Sequence, residues 1–250
     1  MVIGYGNIGK RLYQLLSALN IEVYACDPFL NDTHLVTMEK VLACDLITIH
    51  VPYSIEGAYP TSDLLNQSHR SFLKDKILIN TSRGGVICEK LVTESNDIIY
   101  VADVWLDEPI PSIATVKKAF ISTPHIAGYS LEGKLNGSTM IAKECARAFN
   151  CLQETILSED HSIDWPHGLK NIIRDMHAHG FPVSIFKSEL DLQGLSNNFK
   201  NISPNKLADE FKSLRINHLP RHDFNKYSYK NLVALDESIN IDFFNAIQNL

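Results

Sequence analysis

The sequence predicts a doubly wound α/β fold, a parallel sheet covered by helices on both faces, followed by a small α+β domain. Three observations predict it. Short Ile- and Val-rich runs alternate with amphipathic stretches over the first 150 residues, the pattern of buried parallel strands and their crossover helices. A glycine-rich turn stands between the first apolar run and the first helical pattern. The character then changes near residue 153, where polar, non-periodic chain separates the two parts.

The opening unit is the most specific. Met1-Val2-Ile3 is followed by Gly4-Tyr5-Gly6-Asn7-Ile8-Gly9, then by a helical pattern ending at Leu19, a second apolar run over 21–26, and Asp27. That is strand, G-x-G-x-x-G turn, helix, strand and acid, the Rossmann-like order. The glycines serve a tight turn, close approach to a pyrophosphate, and close helix–strand packing. The phosphates are expected on the helix N-terminus around Asn7 and Ile8, where free N–H groups and the dipole attract anions. Asp27 stands 18 positions after Gly9 and suits a ribose diol; its charge repels a 2′-phosphate, which favours NAD over NADP. Only three residues precede Gly4, fewer than an ordinary central strand carries, so the natural N-terminal part is expected to be missing and the fold to be marginal.

The remaining strands are expected at 46–51, 77–80, 98–104 and 119–122, with helices over 37–43 and 88–95 and a long one over 131–152. The domain boundaries follow: a nucleotide-binding domain over 1–152, a linker over 153–164, and an α+β domain over 165–250. The last is expected to hold strands at 182–186 and 232–235 and helices at 205–214 and 242–250.

Bulk properties exclude several classes. A net charge of −6 disfavours nucleic acid and membrane surfaces as partners. No apolar run approaches the ~20 residues of a membrane span. Cys26, Cys44, Cys88, Cys145 and Cys151 form no C-x-x-C pair and read as reduced core thiols of a cytoplasmic protein, with no metal site. His177 and His179 read as solvated surface for want of an acid or cysteine at ligand spacing.

Ligands of open α/β sheets bind beyond the carboxyl ends of the strands. Three such ends carry chemistry: Arg83 after the 77–80 strand, Asp103 and Glu108 after 98–104, and His125 after 119–122. Arg83 can clamp a carboxylate with its planar fork. His125 can accept a hydroxyl proton, and Glu108 can orient its ring and stabilise the imidazolium. Together they suit oxidation of a 2-hydroxy acid. Singly, each has a plainer reading: a surface or capping arginine, an exposed acid before proline, a hydrogen-bonded loop histidine. Asp103 either contacts the nicotinamide side or braces the loop, and His50 lines the cofactor cleft.

Asn80-Thr81-Ser82-Arg83-Gly84, Asp103-Val104-Trp105-Leu106-Asp107-Glu108-Pro109 and His125-Ile126-Ala127-Gly128 resemble the signatures of the D-isomer-specific 2-hydroxyacid dehydrogenases. The resemblance covers residues 1 to about 150. It implies Arg83, Glu108 and His125 as catalytic residues, Asp27, Asp103 and Gly128 as NAD contacts, and Tyr129 as a substrate contact. Val51 stands where a cofactor-contacting threonine is usual. Cys26-Asp27-Pro28, Ser130-Leu131-Glu132-Gly133-Lys134 and, more loosely, 210–224 resemble a branch of that family with a C-terminal dimerisation domain. That branch implies a small phosphorylated 2-hydroxy acid as substrate and a homodimer. The family places a substrate domain ahead of the glycine turn, so this chain alone is expected to turn over poorly. Two other readings stand beside this one: a related dehydrogenase for glycerate, phosphoglycerate or lactate, and a non-catalytic NAD-binding or dimerisation fragment.

Overall fold

The structure, a computed structural model, describes residues 1–150, 169–184, 187, 190–217, 221–223, 226–227, 236–239 and 241–248. The chain divides into two compact units, Met1–Ile126 with Asp191–His218, and Ala127–Leu190 with Leu219–Leu250.

The first unit is built on a six-stranded parallel sheet. Its strands are β1 (Val2–Ile3), β2 (Ala25–Cys26), β3 (Leu46–Ile49), β4 (Ile77–Asn80), β5 (Ile99–Ala102) and β6 (Ile121–Ser122). Between them run α1 (Asn7–Ala18), α2 (Met38–Leu42), α3 (Glu89–Glu94) and α4 (Ile113–Lys118). The spatial order β2-β1-β3-β4-β5-β6 reverses direction at β1. This is the doubly wound arrangement the sequence predicts, and the gap beyond β1 and β3 is its switch point.

Several strands are shorter than their apolar runs because pairing stops where the chain turns toward the rim. β1 has two residues, yet its ladder is carried on both sides: Val2 N donates to Tyr24 O, Gly4 N to Cys26 O, Thr48 N to Met1 O and His50 N to Ile3 O. Val2, Ile47, Ile49 and Leu78 are fully buried, as residues covered on both sheet faces must be.

The expected domain boundary changes place. Helices α7 (Leu192–Lys200) and α8 (Leu207–Asn217), assigned from sequence to the C-terminal domain, pack with the first unit. The reason is aromatic. Phe199 stacks edge-on against both Trp105 and Phe211 at 5.6 Å, and all three are buried in the core. Ser196 Oγ accepts from Ser122 N at 3.0 Å, which ties α7 to β6.

The second unit contains α5 (Leu131–Ala148), α6 (Leu169–His179) and α9 (Asp242–Gln248). Of the strand expected at 182–186, Val183 and Ser184 are instead helical, and residues 185 and 186 lie outside the described residues. Asp175, on α6, accepts from Ser184 N at 2.7 Å. The linker at 153–164, the strand at 232–235 and Cys151 lie outside the described residues.

Candidate active site

The switch point opens into a cleft of about 900 Å3 lined by Ile3, Gly4, Gly6, Asp27, His50 and Val51, among others. Its floor is shaped by missing side chains. Gly4 has φ +89, and a Cβ there would press on the His50 carbonyl. A Cβ on Gly9 would overlap the Gly4 carbonyl oxygen, so α1 can approach β1 only without one. Gly6 faces open space and offers no side chain to cap α1, which leaves the helix N-terminus at Asn7 and Ile8 for an anionic ligand. Asp27 is tied to this loop: Oδ2 accepts from Tyr5 N at 2.9 Å and Oδ1 from Phe29 N at 3.1 Å. Each carboxylate oxygen keeps a lone pair for a ribose hydroxyl. The glycine cradle, the acid and the cleft size fit a dinucleotide.

His50 also lines this cleft. Its Nε2 lies 2.9 Å from Thr48 Oγ1, and burial holds its pKa below the ordinary value.

The catalytic candidates lie along the neighbouring strands. Asn80, Ala102 and Ser122 are in register across β4, β5 and β6, so the segments that follow them leave the sheet along one edge. Arg83, Glu108 and His125 are on those segments. Glu108 and His125 meet directly, with Nδ1 to Oε2 at 2.8 Å. Since a carboxylate can only accept, Nδ1 carries the proton and Nε2 is left for a substrate. The other Glu108 oxygen accepts from Trp105 N at 2.9 Å, which folds the loop over its own acid. The pair is partly open, with 30% of the His125 side chain and 21% of Glu108 exposed.

Asp103 braces this arrangement. It is 4% exposed, and Oδ1 accepts from Thr123 Oγ1 at 2.5 Å and from Ile126 N at 2.8 Å. Of the two roles expected for it, loop bracing is the one these bonds carry. Trp105 Nε1 donates to Thr123 O at 2.8 Å and pins the same loop. His125 sits at φ +58, a left-handed conformation that a non-glycine residue holds only when its surroundings over-determine it.

Arg83 is on the same rim, but its Nη1 donates to the carbonyl of Ser82 at 2.6 Å rather than reaching the pair. Its loop is fixed by Asn80, which donates to Arg83 O and accepts from both Ser82 N and Ser82 Oγ. A Cβ at Gly84 would overlap the Trp105 carbonyl, so this loop and the Glu108 loop are in backbone contact. Gly128 and Tyr129 fall in the second unit, where Lys134 Nζ lies 4.5 Å from the Tyr129 ring centre.

Trp105, Thr123 and the Asn80 network escaped the sequence reading. The signal for Asn80 was an Asn at a strand end three residues before the arginine, ready to bond backbone ahead of it. Nothing local marks Trp105 or Thr123.

His177 and His179 are exposed, as the sequence predicts, and His177 also pairs with Asp236, Nε2 to Oδ2 at 2.8 Å, an acid 59 positions away that spacing could not reveal. The Ser238 hydroxyl, then His177, hold the Asp236 pKa down to about 2. Of the thiols read as core, Cys26 is buried but Cys145 is exposed on α5. Among the described residues no group of three or more His, Cys, Asp or Glu could hold a metal, and no helix is long and apolar enough to cross a membrane.

Comparison with known proteins bears on the same region. Residues 1–127 match the model of the D-isomer specific 2-hydroxyacid dehydrogenase NAD binding domain. The erythronate-4-phosphate dehydrogenase of Cellvibrio japonicus is 37% identical over 63% of this chain and 44% of its own length. That of Shewanella amazonensis is 32% identical over 92% of this chain and 63% of its own length. The chain thus spans about half the length of the curated relatives it matches. The NAD-dependent formate dehydrogenase of Staphylococcus aureus, solved with NAD, superposes with a TM-score of 0.51 at 25% identity, over 61% of this chain and 49% of that one. The glycine cradle, the acid-bound histidine and the extent of the match place this chain in the D-isomer specific 2-hydroxyacid dehydrogenase family, with residues 1–127 as its NAD-binding domain.

Proposed function

We propose that the protein serves the NAD-dependent oxidation of 4-phospho-D-erythronate to 2-oxo-3-hydroxy-4-phosphobutanoate, in the cytoplasmic synthesis of pyridoxal 5′-phosphate. The observation that carries the reading is the Glu108–His125 hydrogen bond, which leaves Nε2 open on the rim beside the glycine-loop cleft. The names of the relatives support the choice of substrate.

His125 Nε2 takes the proton of the substrate 2-hydroxyl as the C2–O bond becomes a carbonyl. Glu108 stabilises the imidazolium so formed and keeps the ring in the productive tautomer. NAD supplies the acceptor for the C2 hydride. Arg83 turns from the Ser82 carbonyl to pair with the substrate carboxylate, an exchange of one acceptor for a charged one that favours the clamp. Asp27 accepts from the adenosine ribose and rejects a 2′-phosphate. By the family resemblance Gly128 contacts NAD, Tyr129 contacts substrate, and the chain pairs with a second copy through its C-terminal part.

The test is an NAD titration by calorimetry, with turnover measured on 4-phospho-D-erythronate, glycerate, phosphoglycerate and lactate. NAD binding with slow turnover that favours the phosphorylated four-carbon acid is expected. Preference for another of these acids overturns the substrate. NAD binding without turnover on any of them points to a non-catalytic NAD-binding and dimerisation module, a reading favoured by the Arg83 guanidinium bonding to the adjacent Ser82 carbonyl.

A further inference from the structure

The cofactor cleft has a wall that the glycine cradle and Asp27 do not explain. Phe29 and Tyr59, from two different loops of the first unit, both line it. Their rings meet edge to face, with 5.2 Å between centres and 85° between planes. Despite that contact the pair stays open: Phe29 is 69% and Tyr59 50% exposed. A single exposed apolar side chain is ordinary on a protein surface, but two large rings held together in a ligand cleft are not.

We propose that Phe29 and Tyr59 form a stacking wall for the adenine ring of the cofactor. The inference rests on the ribose contact proposed above for Asp27. Phe29 follows that acid by two residues, and its N–H donates to Asp27 Oδ1 at 3.1 Å. A base one glycosidic bond from a ribose on that carboxylate falls within reach of the neighbouring ring. A flat heterocycle gains most against an uncovered aromatic face, and these rings keep such faces. Charge selects the same occupant. Asp27, Asp32 and Glu56 line the cleft, and no lysine or arginine is among its described lining residues. Away from the helix N-terminus an anionic group would meet no cation here, whereas adenine is planar and uncharged.

Both rings are placed by bonded backbone. Tyr59 is carried by the loop 52–61, which is closed at its base. Thr61 Oγ1 donates to Pro52 O at 2.6 Å and accepts from Ser54 N at 2.8 Å, and Thr61 N donates to Ser54 O at 2.9 Å. Gly57, at φ +110, turns the chain back within that loop. Phe29 is held from the other side by its bond to Asp27. A wall already in place loses little freedom when a base docks on it, so more of the stacking energy reaches affinity.

The test is calorimetry of NAD and of AMP on the 250-residue chain, with proton spectra of the bound NAD; no turnover is needed. In the wild-type complex the adenine H2 and H8 signals are expected to move upfield under the ring currents of the wall. Tyr59→Phe, which keeps the ring, is expected to bind both ligands as the wild type does. The Phe29→Ala/Tyr59→Ala double variant is expected to bind both roughly ten- to a hundred-fold more weakly, the range of base–aromatic stacking, and to lose the upfield shift. A folded double variant that binds NAD and AMP as tightly as the wild type overturns the proposal, as does a wild-type complex whose adenine signals do not move. If the double variant does not fold, Phe29→Leu and Tyr59→Leu, which keep apolar bulk without a ring, are read by the same adenine signals, and no change in either overturns it. Asp27→Ala separates the wall from the reading beneath it: unchanged NAD affinity in that variant sinks the ribose contact, whereas the adenine shifts still decide the wall.

Discussion

The two ends of the first unit's binding edge are built by opposite means. The cofactor cleft at β1, β2 and β3 is made by leaving side chains out: Gly4 bends, Gly6 stays open and Gly9 lets α1 touch β1. The rim at β4, β5 and β6 is made by putting side chains in. Asp103 reaches 20 and 23 positions along the chain to Thr123 and Ile126, and Glu108 reaches 17 positions to His125. The first kind of site has no room for an added carbon at Gly4 or Gly9. The second tolerates modest changes of volume but no lost acceptor. A dinucleotide needs backbone to come close to its phosphates, whereas proton transfer needs one ring held in one tautomer.

The largest expected effect falls on the rim. His125→Gln or Glu108→Gln is expected to lower turnover roughly 10²- to 10⁴-fold with NAD affinity little changed; a parallel loss of NAD binding would show that the two ends are not separate. Next come the glycines. Gly9→Ala and Gly84→Ala each drive a carbon into a backbone carbonyl and are expected to cost about 3 kcal/mol, read as a lower urea midpoint. Asp103→Ala strips the brace from Thr123 and Ile126 and is expected to cost about 1–3 kcal/mol and to lower turnover as well. Asp27→Ala is expected to weaken NAD binding roughly ten-fold by calorimetry and to leave His125 undisturbed, which would sharpen the division.

The smallest effect is a pH slope from His50. Burial keeps its folded pKa below the ordinary 6.5, so between those two values the unfolded chain binds a proton that the folded chain does not. Stability is therefore expected to fall as pH drops below about 6.5 and to level off below the folded pKa. Urea midpoints across that range, compared with His50→Gln, check the sign: the variant should lack the slope.

Legibility differed in the same way. Gly4, Gly6, Gly9 and Asp27 could be read in advance because a missing side chain is visible in one dimension, within a single strand–turn–helix unit. Arg83, Glu108 and His125 could be assigned to strand ends, and strand register brings those ends to one edge. Which of them touch could not be read: Glu108 and His125 do, whereas the Arg83 side chain bonds to Ser82. The Asp103 brace was one of two open alternatives, and the Trp105 anchor was unforeseen, because each depends on loops from two different strands. The chain beyond residue 150 was harder still. Its helices at 192–200 and 207–217 pack with the first unit through Phe199 and Phe211, and no local pattern says which of two cores an aromatic face will join.

By itself the amino-acid order determined the parallel sheet and the dinucleotide turn and named the candidate side chains at the strand ends, because periodicity and glycine placement are local properties of the chain. Only the tertiary structure decided the tautomer of His125, the bracing of its loop and the allegiance of residues 191–217. Those depend on hydrogen bonds and ring contacts between segments far apart in the chain, whose geometry exists only once the sheet has formed.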